Sequence, residues 1–278
     1  MGRFFTSYAN IISTRVVDRY VYILRENGIQ IVDISNPTTP YLVSSYHVGR
    51  NVSVFNIVDD SIYVVEAGFL HIIDISDPRT PRQVSSLQIL EEGSLYYVQG
   101  LVVIGDYIYL PACYSVRSTS YGTIHIVNVS IPSEPYIIGN YDLLEDRAVC
   151  LRIVGGEANV IYLAGHYHGQ NLLWKLDITD PAVPRLVDQF NIPQPQQVLK
   201  IVGQYAYGTE FFPTIFVTDI SDLLDSTTEL TVITSNNRAD DDMSIVNHYV
   251  YLWKSYPPLL IFDISDPNNP ILVHLKDF

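Results

Sequence analysis

The chain contains the phrase Ile29-Gln-Ile-Val-Asp-Ile-Ser-Asn-Pro-Thr-Thr-Pro-Tyr-Leu-Val-Ser-Ser-Tyr46, which returns in altered form along its length. Each copy runs an apolar strand into Asp-Ile-Ser, then into a turn that usually holds two prolines, and then into a second short strand. Self-similarity at a nearly constant period is the signature of a fold built from one repeated unit. This phrase therefore decides the fold, and the number of copies decides the number of units.

Two anchor positions mark every copy of the repeat. The first anchor ends the apolar strand and is occupied by Asp33, Asp74, Asn128, Asp177, Asp219 and Asp263. The second anchor lies upstream, after an apolar residue, and is occupied by Tyr22, Tyr63, Tyr109, Tyr162, Tyr207 and Tyr251. Neighbouring first anchors are 41 residues apart at the closest (33 to 74) and 54 at the widest (74 to 128). The paired anchors indicate six units.

Every unit contains four strand signals, which we name A to D in chain order. In the second unit they fall at residues 52–58, 61–65, 69–75 and 83–87. These runs are rich in β-branched and aromatic residues and are bounded by Gly, Pro, Asp and Asn, as strands are. No stretch has the sustained 3.6-residue apolar period of a helix. Four antiparallel strands in each of six repeats predict an all-β fold, a six-bladed β-propeller.

The repeat resembles the LVIVD-repeat β-propellers. The resemblance lies in strand C, which reads Gln30-Ile-Val-Asp33 and Leu70-His-Ile-Ile-Asp74, and in the continuation Asp-Ile-Ser-Asp-Pro-x-x-Pro at 74–81 and 263–270. It extends over essentially the whole chain and implies the propeller fold. It implies little about activity, because many such proteins look like cell-surface or secreted modules.

The uninterrupted repeat predicts a single propeller domain over residues 1–278. Residues 4–8 resemble a strand D, and residues 270–275 at the other end of the chain form another. Propellers commonly close by placing strands from both termini in one blade. We therefore expect the N-terminal strand to lie beside the last blade.

Net charge and apolar content exclude some classes of partner and a membrane-spanning segment. The formal net charge of −14 predicts that nucleic acids and anionic membranes are not partners, because their phosphates would be repelled. No run of about 18 apolar residues is present, so no membrane-spanning segment is expected. The first residues lack the apolar core of a signal peptide. The location stays open, and the resemblance implies the cell surface or secretion if a leader has been removed.

The unequal lengths of the connections predict where a site lies. The A-to-B turns are tight, and the C-to-D turns are the repeated proline turns. The long, polar connections join B to C and D to A, including the insert at 112–122 and the segment 165–171. Because function on a rigid scaffold concentrates in loops, we expect the site at this end of the blades. At a propeller this is the mouth of the central channel.

A charged ring is predicted at that mouth, three residues after each anchor tyrosine. Its positions are occupied by Arg25, Glu66, Ala112, Gly165, Glu210 and Lys254. One interpretation is that neighbouring opposite charges form ion pairs, which contribute little stability at a surface. The other is that the charges orient a polar ligand.

Two histidines suggest a divalent metal. His166 and His168 are two residues apart, so they would share one side of an extended strand. A carboxylate from Glu66, Glu210 or Asp242 would complete a ligand set. Asp240-Asp-Asp242 also offers oxygen ligands of the kind that calcium prefers. The alternative interpretation of both groups is solvated polar loops.

Aromatic side chains are dense in the same connections. They comprise Tyr96, Tyr97, Tyr114, Tyr121, Tyr167, Phe211, Phe212, Trp253 and Tyr256. Such groups stack sugars, flat molecules or cations, and they also serve as hot spots for a protein partner. The alternative is that they pack the loops. Residues expected to bind a ligand are Arg25, Tyr114, Arg117, Tyr121, Tyr167, Phe211, Trp253 and Lys254.

These patterns lead to two hypotheses for function. The first is a non-enzymatic binding module that holds a protein, or a polar small molecule such as a sugar, at the long-loop end. The second is an enzyme of lyase, hydrolase or isomerase type that uses His166, His168, Glu210 and Glu66 as metal ligands or acid–base groups. The repeated anchor Asp belongs to neither, because an Asp before Ser-x-Pro is expected to accept backbone N–H groups of the turn.

Overall fold

The computed structural model describes residues 11–50, 52–90, 97–98, 100–116, 119–143, 148–167, 169–192, 199–209, 214–220, 227–231, 242–253, 259–267 and 269–276. All regular elements in these ranges are strands, and they form six antiparallel sheets in sequence order. Among the described residues no helix is long and apolar enough to cross a membrane. The predicted class is confirmed: the sheets are the blades of a six-bladed β-propeller.

The chain divides into two compact units. The first comprises Met1–Ile153 with Asp180–Val183, and the second comprises Val154–Thr179 with Pro184–Phe278. The prediction that the whole chain forms one domain therefore stays a prediction. The N-terminal strand expected at residues 4–8 lies outside the described residues, so the predicted closure stays untested as well.

Sheets 1 to 3 belong to the first unit. Sheet 1 contains β1 (Ile11–Val17), β2 (Tyr20–Arg25), β3 (Gly28–Asp33) and β4 (Tyr41–His47). Sheet 2 contains β5 (Val52–Val58), β6 (Ser61–Glu66), β7 (Phe69–Asp74) and β8 (Arg82–Gln88). Sheet 3 contains β9 (Tyr97–Val98), β10 (Val102–Ile104), β11 (Tyr107–Val116), β12 (Thr119–Asn128) and β13 (Tyr136–Asp142). The short β9 pairs with β11 and is an addition to the expected four strands.

Sheets 4 to 6 follow the same order. Sheet 4 contains β14 (Ala148–Glu157), β15 (Val160–Tyr167), β16 (Gln170–Asp177) and β17 (Arg185–Asn191). Sheet 5 contains β18 (Leu199–Val202), β19 (Tyr205–Thr209), β20 (Thr214–Asp219) and β21 (Thr227–Thr231). Sheet 6 contains β22 (Asp242–Val246), β23 (Tyr249–Trp253), β24 (Leu259–Asp263) and β25 (Ile271–Lys276).

Within each unit, neighbouring sheets pack their apolar faces together. Ile31 of sheet 1 and Ile73 of sheet 2 share one buried cluster, and Ile72 of sheet 2 and Ile108 of sheet 3 share the next. In the second unit, Leu173 of sheet 4 lies in one cluster with residues of sheet 5. Strands B and C are buried on both faces, which explains why they are almost continuously apolar.

The anchor tyrosines belong to these buried layers. Tyr109 and Tyr207 are 1% and 2% exposed, and burial raises the pKa of each to about 12. An aromatic ring contributes a large apolar surface to such a layer. The tyrosine repeat therefore serves packing.

The A-to-B turns are nearly identical in all six sheets. Each begins with a residue at positive φ, namely Asp18, Asp59, Gly105, Ala158, Gly203 and Asn247. Two-residue hairpins favour this conformation because its twist matches that of the strands. The second residue of each of these turns accepts a hydrogen bond at its carbonyl from the residue that follows the first anchor. In sheet 1 the N–H of Ile34 donates to the carbonyl of Arg19, and in sheet 2 the N–H of Ile75 donates to that of Asp60. This bond ties strand C to the A-to-B turn.

The C-to-D turns also repeat one design. In five sheets a backbone N–H is bonded to the carbonyl three residues earlier, for example from Thr39 to Asn36 and from Thr80 to Asp77. A register shift then follows between strands C and D, between Ile31 and Val32 in sheet 1 and between Ile72 and Ile73 in sheet 2. The variable part of each sheet is therefore its opposite end, where strand B turns into strand C.

Candidate functional site

The B-to-C end of sheet 1 gathers polar side chains on one face. Arg25 on β2 lies opposite Gly28 on β3, and Gly28 lies opposite His47 on β4. Gln30 on β3 lies opposite Ser45 on β4. Directly opposite residues in a sheet project from the same face, and residues two apart along a strand share a face. Arg25, Gln30, Ser45 and His47 therefore project from one face, and we call them the sheet 1 cluster.

The sheet 1 cluster borders a pocket of about 190 Å³. The pocket is lined by Arg25, Asn27, Gly28, Ile29, Gln30, Ser45, Tyr46 and His47. Arg25 is 5% exposed, which is a deep position for a cation. The Oε1 atom of Gln30 is buried and accepts no hydrogen bond from the described residues.

Gly28 explains how Arg25 and His47 can flank the pocket. A Cβ at Gly28 would lie 2.1 Å from the backbone oxygen of Tyr46, so only glycine fits this close approach of strands C and D. The position between the two side chains consequently carries no side chain of its own.

Sheet 2 places opposite chemistry at the same positions. Glu66 occupies the place of Arg25, and His71 occupies the place of Gln30. A carboxylate oxygen of Glu66 lies 3.6 Å from Nε2 of His71, and the other accepts the backbone N–H of Arg50 at 2.9 Å. A Cβ at Gly49 would lie 2.5 Å from this carboxyl group, so glycine is required for the approach of Glu66. The sheet 2 cluster is thus held together by its own groups.

Sheet 3 replaces the charged end position with Ala112 and keeps a histidine on strand C. Nδ1 of His125 lies 2.7 Å from Oδ1 of Asn140, its direct cross-strand partner. Burial lowers the pKa of His125, while the bond to Asn140 opposes that shift. Nε2 of His125 is buried without a hydrogen-bond partner among the described residues. His125 is therefore held as a neutral ring with one nitrogen available.

One position on strand C unites these clusters. It lies three residues before the first anchor and is occupied in sheets 1 to 4 by Gln30, His71, His125 and Trp174. All four carry a buried nitrogen or oxygen that makes no hydrogen bond within the described part of the chain. Sequence reasoning missed this set, although the signal was available: a polar or indole-bearing residue interrupts an otherwise aliphatic strand. Buried polar atoms are normally paired, so these positions call for water or a ligand.

Two of the predicted long B-to-C connections, in sheets 3 and 4, prove to be extensions of strands B and C, which corrects the sequence interpretation. Residues 112–122 were expected to form an irregular insert, but β11 and β12 pair without interruption from Tyr107–Asn128 to Val116–Thr119. Tyr114 and Tyr121 are direct backbone partners in this hairpin. β-Branched and aromatic residues favour strands. Here they let β11 and β12 stay paired past the point where the pairing of β12 with β13 ends.

The histidine segment of sheet 4 is likewise a hairpin. His166 is paired with Asn171, and its Nδ1 lies 2.8 Å from Oδ1 of that residue at an exposed position. Tyr167 ends strand β15 and is paired with Gln170. His168 lies outside the described residues, so the predicted pairing of two imidazoles stays untested.

Several other predicted site residues cannot be placed. Arg117, Glu210, Phe211 and Lys254 lie outside the described residues, as do Tyr96, Phe212, Tyr256, Asp240 and Asp241. Asp242 and Trp253 are backbone partners across β22 and β23, but their side chains, and those of Tyr97, Tyr114 and Tyr121, are not described. Within the described ranges, no three His, Cys, Asp or Glu side chains gather as a metal site would require. The metal and calcium hypotheses therefore stay predictions.

The anchor carboxylates have the structural role expected of them. Asp33, Asp74, Asp177 and Asp263 accept the backbone N–H two residues on, at 2.8–2.9 Å. Asn128 accepts the same bond from Ser130 at 3.0 Å. The pKa of each of the four carboxyl groups lies below its ordinary value; the hydroxyl of the turn residue is the larger cause at Asp33 and Asp177, and its N–H is the larger cause at Asp74 and Asp263.

A β-propeller with polar clusters at the B-to-C ends of its sheets is the class of protein that these features define. Among repeats of this kind, the family model for the LVIVD repeat matches residues 13–48, 50–88 and 238–275, which lie in three of the six repeats. The resemblance to the LVIVD-repeat β-propellers predicted from the sequence is thereby confirmed. The matches cover sheets 1, 2 and 6.

Solved propeller-like structures resemble the chain over most of its length. A functionally unknown protein from Desulfotomaculum acetoxidans gives a TM-score of 0.70 at 12% identity, covering 98% of this chain and 86% of its own. A hypothetical selenium-binding protein from Sulfolobus tokodaii gives 0.67 at 13%, covering 94% and 72%. Apo AztD from Citrobacter koseri gives 0.61 at 12%, covering 97% and 87%. At such identities the likeness shows the fold alone.

A search of curated proteins finds no significant match to the sequence. The arguments about function therefore rest on the chain's own residues.

Proposed function

We propose that the protein is a non-enzymatic binding module that holds a protein, or a polar small molecule such as a sugar, at the B-to-C ends of its sheets. The observation that carries the proposal is where the sheets differ. Strands B and C have six residues each in sheet 1, but ten each in sheet 3 and eight each in sheet 4. The other end keeps the same A-to-B turn in all six sheets and the same C-to-D turn in five of them. A constant scaffold with one variable end is the usual arrangement of a recognition surface.

The chemistry of that end supports recognition of polar groups. Sheet 1 offers a buried arginine and sheet 2 offers a carboxylate beside an imidazole. The hairpin of sheet 3 adds the paired positions Tyr114 and Tyr121. Tyrosine combines apolar area with a polar group and few rotatable bonds, so it suits binding surfaces. Within this proposal, Tyr167, Phe211, Trp253, Arg117 and Lys254 belong to the same surface.

Trimming the sheet 3 hairpin tests the proposal. Because Cys113 and Gly122 are direct partners, residues 114–121 can be replaced by Asn-Gly, the dipeptide preferred in two-residue hairpins. The full chain and the trimmed variant are immobilised and exposed to an extract of the cells that make the protein. We expect the full chain to retain a specific partner and the trimmed variant to lose it.

A matched control changes the constant end of the same sheet. Ser133→Ala with Glu134→Lys alters the C-to-D turn and leaves the hairpin intact. This control should retain the partner, and all three proteins should show the same strand signal by circular dichroism. Equal retention by the trimmed variant and the full chain would contradict the proposed surface.

The second candidate is an enzyme at the same ends of the sheets. It is favoured by the 3.6 Å approach of Glu66 to His71, because a carboxylate beside an imidazole is a common acid–base pair. His166, His168 and Glu210 belong to this candidate as metal ligands. Metal analysis of protein purified without a nickel column distinguishes the two. A stoichiometric metal that disappears in the His166→Ala/His168→Ala variant would favour the enzyme over the binding module.

A further inference from the structure

We infer that the pocket bordered by the sheet 1 cluster binds a small carboxylic acid that carries a hydroxyl or ammonium group beside the carboxylate, as α-hydroxy and α-amino acids do. The inference rests on the proposed binding function and names the class of ligand for one sheet. It is argued from charge, from hydrogen-bonding capacity, from size and from the contrast with sheet 2.

The charge at the pocket favours an anion. Arg25 is almost fully buried, and the residues that line the pocket include no acidic side chain. A guanidinium carries five N–H donors in a planar fork that matches a carboxylate in two parallel bonds. In the proposed complex, the ligand carboxylate binds to this fork.

The second requirement comes from Gln30. Its Oε1 atom is buried and receives no hydrogen bond from the described residues, so it needs a donor from outside the chain. A side-chain amide oxygen accepts from hydroxyl and ammonium groups alike. Gln30 and Arg25 project from the same face, one register step apart across strands B and C. A ligand with its donor next to its carboxylate fits this spacing.

The volume limits the ligand to a small molecule. Pockets for drug-sized ligands hold about 300–1,000 Å³, whereas this pocket holds about 190 Å³. Gly28 contributes no side chain between Arg25 and His47, because the backbone of Tyr46 approaches it too closely for one. Ser45 and His47 are exposed at the rim, where they can contact a solvated part of the ligand.

The positions of Arg25 and Gln30 carry different polar groups in sheet 2. There the equivalent residues, Glu66 and His71, approach each other, and Glu66 also takes the N–H of Arg50. Sheet 2 carries the carboxylate of Glu66 where sheet 1 carries the guanidinium of Arg25, so an anion attracted to sheet 1 would be repelled at the equivalent site of sheet 2. This difference in charge makes sheet 1 the binding site and sheet 2 the matched comparison.

Calorimetric titration of the full chain with four related probes tests the inference. L-Lactate and L-alanine carry both groups, propionate lacks the donor, and propane-1,2-diol lacks the carboxylate. We expect lactate or alanine to bind at least tenfold more tightly than propionate, and the diol to give no binding heat. Absence of binding by both lactate and alanine, or equal binding by propionate, would overturn the inference.

Three variants assign the binding to the cluster. Arg25→Lys keeps the charge but loses the fork, and we expect at least a tenfold loss of affinity. Gln30→Leu should bring lactate down to the affinity of propionate. Ser86→Ala, at an exposed position on strand D of sheet 2, should leave both affinities unchanged. If Arg25→Lys and Gln30→Leu bind as the wild type does, the assignment to this pocket is wrong.

The two proposals fail in different experiments. Loss of the partner on trimming the sheet 3 hairpin, without any binding of the acids, would leave the binding module standing and remove only the ligand class. Binding of lactate with the expected variant pattern, while the trimmed hairpin keeps its partner, would support the pocket and move the partner surface elsewhere.

Discussion

The hydroxyl of Ser85 donates a hydrogen bond to the backbone carbonyl of Pro132 at 2.6 Å, which joins strand D of sheet 2 to the C-to-D turn of sheet 3. Ser44 makes the same bond to the carbonyl of Pro78 at 2.6 Å, between sheets 1 and 2. In sheet 3 the equivalent position is Gly139, and its Cβ would lie 3.9 Å from the carbonyl of Ala182. The repeat therefore contains a serine bond between sheets in two places and lacks it in a third.

Removing or adding this serine should change stability in opposite directions. A buried hydrogen bond contributes about 1 kcal/mol, so we expect Ser85→Ala to lower the free energy of unfolding by about that amount. Gly139→Ser should raise it by up to about 1 kcal/mol if its hydroxyl reaches the turn. Urea denaturation measures both. Ser86→Ala, at the exposed neighbouring position, is the control and should change little; equal losses at 85 and 86 would argue against the bond.

The A-to-B turn of sheet 4 should be improvable. Ala158 has a φ of 50°, whereas the other five sheets place Asp, Gly or Asn at this position. A side chain with a Cβ pays about 1–2 kcal/mol in the left-handed region, and Asn pays less because it bonds locally. We expect Ala158→Asn to raise the thermal midpoint of unfolding.

The reverse change supplies the control for this prediction. Asn247→Ala at the equivalent turn of sheet 6, where φ is 55°, should lower the thermal midpoint by a similar amount. If both substitutions shift the midpoint in the same direction, backbone strain does not set the preference at these turns.

The anchor carboxylates should make the fold sensitive to acid. The hydroxyl and N–H of Thr179 hold the pKa of Asp177 below its ordinary value of about 3.8, and the corresponding bonds act on Asp33, Asp74 and Asp263. A carboxyl group with a lowered folded pKa stabilises the fold fully above about pH 3.8 and loses that contribution as the pH falls through the lower value. We expect the urea midpoint to be level at higher pH and to fall in this acid range.

Asp177→Asn tests the source of that acid sensitivity, because Asn128 already shows that an amide can bind the turn. The variant should be less stable than the wild type at pH 7, and the difference should shrink as the pH drops below about 3.8. Asp59→Asn, in an exposed A-to-B turn, should run parallel to the wild type. A constant difference at every pH for Asp177→Asn would contradict the carboxylate mechanism.

Gly49 should be coupled to Glu66. A methyl group at residue 49 would overlap the carboxyl group of Glu66, so Gly49→Ala must push Glu66 away from His71 and from the N–H of Arg50. Shifting the flexible Glu66 side chain costs little in itself, and the loss of its hydrogen bond to Arg50 costs about 1 kcal/mol. Removing the Glu66 carboxyl group first should relieve the clash.

A double-mutant cycle with Gly49→Ala and Glu66→Ala measures this coupling. We expect the double variant to be more stable than the sum of the single changes predicts, by about 0.5–3 kcal/mol. Simple additivity in urea denaturation would show that the two residues do not interact.

Much of the fold could be predicted from the sequence, because the determining interactions are local. The Asp-Ile-Ser turn needs only the anchor carboxylate and an N–H two residues later, and the A-to-B hairpin needs only a residue that tolerates positive φ. The candidate site was less predictable. Arg25 and Glu66 were expected at a strand end, and they lie there, but Gln30, His71 and His125 were missed because their significance depends on neighbours from strands far along the chain.

The sequence by itself determined six copies of a four-stranded unit, since the period, the turn residues and the apolar strands C are all written in consecutive residues. Only the tertiary structure decided that β11 and β12 stay paired as far as Val116 and Thr119, that Glu66 meets His71, and that Gln30 has a buried oxygen in need of a donor. The physical reason is that pairing and burial depend on which side chains the folded sheets bring opposite one another. The spacing of residues in the sequence gives the period of a strand, but it does not give the neighbours of each polar atom on the adjacent strands.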